Sequence, residues 1–138
     1  MTLRASDLQP GQPLPERRHQ PSNVSLFLYN AAVWNAHRIH YDETYTTTVE
    51  QHPGIVIDGP LQGDWLAQCV SNWLGDAGSV LRFQYSNRLA AYLGETLTSG
   101  GQVASVDREK RQAEVELWVR NESGQVTSPG SATIQLSG

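Results

Sequence analysis

The segment WNAHRIHYDETY, residues 34–45, gathers an Asn, two His, an Arg and an Asp directly behind an apolar run. His40 follows Asn35 by five positions. A neutral imidazole takes or gives a proton near pH 7, whereas an amide orients a water or a carbonyl but is no base. The pair therefore has the parts for proton transfer on a positioned ligand. A His-rich helix end has a second use, as a cap on the negative end of the helix dipole. His37 and His40 at i,i+3, with Asp42 beyond, also resemble a zinc donor set. No other cluster extends that set, since His19 and His52 sit beside proline turns, so no metal is expected.

A different chemistry is available at Asp58-Gly59-Pro60. The start of a helix presents unpaired N–H groups and a positive dipole end, and a glycine lets a ligand come close to the backbone. Such a place can hold a carbonyl oxygen as it gains negative charge, or it can be a plain Gly-Pro helix start. Nucleophile chemistry has no support: Cys69 is the one cysteine and falls inside a helical pattern, and no G-x-S-x-G occurs.

These residues need elements to hold them. Residues 1–21 carry four of the seven prolines and read as an extended arm or edge, followed by a single domain over 22–138. Leu26, Phe27, Asn30, Ala31 and Trp34 recur at helical spacing, with Ser22 or Asn23 as N-cap, which predicts a helix over 23–35. It delivers the polar segment at its C-terminal end. A second helix opens at Asp58-Gly59-Pro60, where Asp58 and Gly59 can cap, and stops at Gly75; Leu61, Trp65, Cys69 and Trp73 form one apolar row, Leu66, Val70 and Leu74 another. Two rows imply a mostly buried helix.

From residue 79 the period changes to two. SVLRFQYSNRL, ETLTSGGQVASVD, QAEVELWVRN and SGQVTSPGSATIQL read as strands, with Gly100-Gly101 suggesting a bulge and NESG a hairpin turn. Ala113, Val115, Leu117 and Val119 face one way; Glu114, Glu116 and Arg120 form a solvated face. One buried helix followed by antiparallel strands is an α+β arrangement, a sheet wrapped around a central helix. Such a sheet leaves a face open for a second copy.

Composition narrows the partners. The formal charge of −4 over 138 residues offers no basic stripe, so nucleic acid is not expected. No apolar run is long enough to span a bilayer, and a cytoplasmic protein is the default expectation.

Taken together these features resemble the MaoC-like enoyl-CoA hydratases and dehydratases, which have the hot-dog fold. NAHRIH occupies the place of the family's D-x-N-P-I/L-H motif, with Asn35 at the acidic position and His40 at the catalytic His. HPGIVIDGPL is similar to the G-x-x-x-x-G-M/P segment that opens the central helix, and NRLAAYLGETLTSGGQV to the r-P-x-x-x-G-D-t-L segment leading into the sheet. The wording is nearest the mesaconyl- and 3-methylfumaryl-type CoA hydratases. His37 stands for the usual Asn and Arg38 for Pro.

The resemblance implies a hydro-lyase that adds or removes water across the α,β double bond of an enoyl-CoA or enoyl-carrier thioester. His40 would exchange protons, Asn35 would orient, and the Gly59 N–H would hold the enolate oxygen. No cofactor is implied, because CoA or the carrier enters with the substrate. Arg38, Arg82 and Arg88 are candidate phosphate contacts. A homodimer or higher even oligomer is implied, because the related branch often carries two hot-dog units per chain. Two other functions use the same fold: a non-hydrating partner subunit or thioester binder, and a thioesterase using Asp58 or Asp64.

Overall fold

The computed structural model describes residues 2–138. Ser22 caps helix α1 (Asn23–Ala32), and its hydroxyl accepts from the Ser25 N–H at 3.1 Å while Ser25 reaches back to the Ser22 N–H. This reciprocal pair fixes the start of the helix. At the other end Trp34 adopts φ 59°, a left-handed conformation that breaks the helical path three residues short of the expected end. The chain then runs through a short 3-10 turn (Arg38–His40) into α2 (Glu43–Thr48).

The sequence reading did not anticipate α2. Its Thr- and Tyr-rich composition has low helical propensity, but the Asp42 side chain accepts from the Tyr45 N–H at 3.0 Å and supplies the cap.

Helix α3 (Gly59–Leu74) is the axis of the molecule, with Pro60 in its first turn and Gly75 at φ 52° ending it. Trp65, Leu66, Cys69, Val70 and Leu74 are buried along it. The described residues form one five-stranded antiparallel sheet: β1 (Arg17–His19), β2 (Gly78–Tyr85), β3 (Leu97–Asp107), β4 (Gln112–Arg120) and β5 (Val126–Leu136), in the order β1-β3-β4-β5-β2. α3 packs against β2, β3, β4 and β5, so the sheet curls around it as the element order implies. Along β4 the expected alternation holds residue by residue, Ala113, Val115, Leu117 and Val119 being inside.

The arm before residue 22 supplies the edge strand β1 and also places Leu8 and Leu14 in the core. Gly100-Gly101 does not mark the bulge: the register of β3 shifts between Val103 and Ser105. Gly101 is there for close approach, since a Cβ on it would lie 2.5 Å from the Glu116 carbonyl oxygen. Pro129 sits within a continuous β5 opposite Trp118, and its carbonyl accepts from the Ser86 N–H.

Candidate active site

His40 is buried at the end of the 3-10 turn. Its Nδ1 lies 2.7 Å from the Val56 carbonyl oxygen. A carbonyl only accepts, so Nδ1 carries the hydrogen, and in the neutral ring Nε2 keeps its lone pair. Nε2 has no protein partner among the described residues. The ring lines an open cleft of about 310 Å³ together with Gly59, Asn87 and Arg88. The structure thus brings His40 and the start of α3 to one space, although they are 19 positions apart in sequence.

Gly59 is the first residue of α3, where N–H groups have no partner within the helix. A side chain there would displace the Asn87 amide, since a Cβ would fall 2.2 Å from Asn87 Nδ2. Asn87 is held in turn by Ser128, whose hydroxyl lies 2.9 Å from Asn87 Oδ1. Asn87, just past β2, opens the segment likened to the family's entry into the sheet, but the sequence reading gave it no role.

Asn35 lies one step back from the cleft. Its Oδ1 accepts from the His37 N–H at 3.0 Å, and its Nδ2 donates to Asp58 Oδ2 at 3.3 Å. Asp58 is fully buried. Asn30 Nδ2 donates to Asp58 Oδ1 at 3.0 Å and to the Leu26 carbonyl at 2.8 Å. Asn30 Oδ1 is then buried with no partner, a state that costs about 1–3 kcal/mol. His40 Nδ1 is 3.5 Å from Asp58 Oδ1. The polar centre therefore contains a carboxylate, to which the sequence suggested only a cap or a thioesterase role.

The other polar residues of the segment are engaged elsewhere. Arg38 pairs with Asp42 at 2.7 Å and stacks over Tyr45 at 4.1 Å, so Asp42 is not beside the two histidines as a ligand. Arg82 donates to Gln84 on β2. Arg88 alone of the three candidate phosphate contacts lines the cleft. Asp64 accepts from the Tyr29 hydroxyl at 3.2 Å, and burial together with that carboxylate pushes Tyr29 up to about 12. Among the described residues no three His, Cys, Asp or Glu side chains are grouped to hold a metal. A second groove of about 360 Å³, lined by Phe27, Ala31, Trp34, Asn35 and Tyr41, is mainly apolar.

A family model described as hydroxyacyl-thioester dehydratase type 2 matches residues 4–93, which include the His40 segment and all of α3. Over 41 residues the chain is 44% identical to the mitochondrial hydroxyacyl-thioester dehydratase type 2 of Schizosaccharomyces pombe, covering 30% of this chain and 14% of that protein. Over 41 residues it is 49% identical to the mesaconyl-C(4)-CoA hydratase of Chloroflexus aurantiacus, covering 30% of this chain and 15% of the relative. The matched stretch is thus a small part of either relative. A solved MaoC-like dehydratase superposes with a TM-score of 0.89 at 24% identity, over 99% of this chain and 43% of that one. The sheet curled around α3 is therefore a hot-dog fold.

Proposed function

The chain belongs to the hydroxyacyl-thioester dehydratase type 2 family, and we propose that it adds water to, or removes it from, the α,β bond of an enoyl thioester. The observation that carries this reading is the shared cleft: His40, with a free Nε2, faces the same space as the start of α3. In hydration, water oxygen bonds to Cβ and its proton passes to His40 Nε2. The electron pair of the double bond moves through Cα to the thioester oxygen, and the Gly59 N–H stabilises the enolate formed. A pre-aimed donor of this kind contributes about 3 kcal/mol to the barrier. His40 then returns the proton to Cα, the carbonyl reforms, and the ring is neutral again. Dehydration is the reverse.

The apolar groove beside Asn35 supports an acyl ligand. Arg88, which lines the cleft and whose Nε donates to the Ser86 hydroxyl at 3.0 Å, supports recognition of a phosphate on the carrier arm. The thioesterase alternative lacks a residue to carry it, because no carboxylate is among those lining the cleft. A homodimer is part of this reading. What supports it is β2, an edge strand whose Val80, Leu81 and Tyr85 are exposed. No helix of the described residues is long and apolar enough to cross a membrane.

The test is a panel of enoyl- and 3-hydroxyacyl-thioesters assayed in both directions. Loss and gain of the conjugated thioester absorbance, without release of free thiol, is the expected result. Thiol release with the double bond intact would point to a thioesterase. No change with any substrate would point to a non-hydrating partner subunit.

A further inference from the structure

We propose that Asp58 is the positioning carboxylate of this site, and that position 35 is an amide because position 58 already holds the charge. The inference rests on the hydratase reading above. Asp58 stands at the N-cap of α3, where an Asp ordinarily accepts hydrogen bonds from the first turn of its own helix. It makes none. Its side chain turns inward instead, Oδ1 toward Asn30 and Oδ2 toward Asn35, and both oxygens act as acceptors, an arrangement an ionised carboxylate satisfies. Declining the cap has a consequence for chemistry: the N–H groups at the start of α3 are left to a ligand.

A buried carboxylate held by two neutral amides still lacks a counter-charge. The one group within reach that acquires positive charge is the His40 ring, at 3.5 Å. It does so when Nε2 takes the proton of the attacking water, and loses the charge when Cα is protonated. His37, 5.9 Å away between ring centroids, and Arg88, which lines the same cleft, offer no negative charge, and the Tyr29 phenol near Asp58 is held protonated by burial and the neighbouring carboxylates. Being fully buried, Asp58 touches no substrate and acts through His40 and Asn35. Asn35 follows from this. An Asp at position 35 would set two carboxylates about 3.3 Å apart, where both cannot stay ionised. Positions 35 and 58 together therefore seat one carboxylate and one amide.

The experiment compares wild type with Asp58→Asn, Asn35→Asp and the reciprocal double variant, by steady-state kinetics and thermal unfolding. Asp58→Asn is expected to lower kcat about a hundredfold, with KM within about threefold. Asn35→Asp is expected to lower both kcat and Tm at neutral pH. The double variant, with one carboxylate restored, is expected to regain the Tm and at least about tenfold in kcat over Asp58→Asn. If Asp58→Asn does not fold, Asn35→Asp against the double variant carries the same comparison. The proposal is overturned if Asp58→Asn keeps wild-type kcat, or if the double variant is no better than Asn35→Asp in Tm. A wild type that hydrates no enoyl thioester, with the Tm pattern intact, would remove the hydratase reading and leave the seat of the charge at position 58 standing.

Discussion

Between β4 and the start of α3 the interior changes character. On β4 the buried residues are Ala113, Val115, Leu117 and Val119, each one of several interchangeable apolar groups on a regular pleat. Around the first turn of α3 they are Asn30, His40, Asp58 and Gln62, each tied to particular partners; the Gln62 oxygen, for instance, receives Thr127 at 2.7 Å. The apolar half is stabilised by area removed from water and answers to changes in volume. The polar half answers to which atom donates and which accepts. Stability is concentrated in the first, and the proposed chemistry in the second.

The comparison predicts different kinds of damage. Leu66→Ala, on the buried row of α3, is expected to cost about 2–5 kcal/mol in denaturant unfolding while kcat per folded molecule is unchanged. Gly59→Ala forces a methyl onto the Asn87 amide at the helix start, and kcat/KM is expected to fall about a hundredfold. Asn35→Ala removes a group that orients but does not transfer protons, so a loss of about tenfold in kcat is expected, smaller than that of His40→Ala. If Leu66→Ala instead lowered kcat with little loss of stability, the division between the two halves would be wrong.

The smallest effect belongs to His19, in the edge strand. Its ring stacks on Trp65 at 4.1 Å, and burial, then Arg17, lowers its pKa from 6.5 to about 4. The folded ring stays neutral where the unfolded one takes a proton. Stability is therefore full above pH 6.5 and declines as pH falls from 6.5 toward 4. His19→Gln is expected to flatten that part of a Tm-against-pH curve. An unchanged curve would show that the stacked ring does not govern it.

The apolar half was legible because its signal is periodic. Val115, Leu117 and Val119 announce a strand by alternation, and Leu66, Val70 and Leu74 a buried helix by spacing, without regard to the rest of the chain. The polar half was legible only in part. His40, Asn35 and Gly59 stood out by residue type and by likeness to a known motif. The partners of Asp58 and Asn87 did not, because those contacts span 23 positions (Asn35 to Asp58) and 41 positions (Asn87 to Ser128). Asp58 also looked like a helix cap, and only the direction of its side chain shows that it is not used as one. A run of Thr and Tyr hid α2 for a different reason, weak local propensity outweighed by a cap and by packing.

The most direct measurement is the hydration rate of a competent enoyl thioester by the purified chain and by its His40→Ala variant, each shown to be folded. The account predicts measurable hydration by the wild type and a loss of about 10³-fold or more in the variant, with substrate binding retained. Equal rates for the two proteins would contradict it.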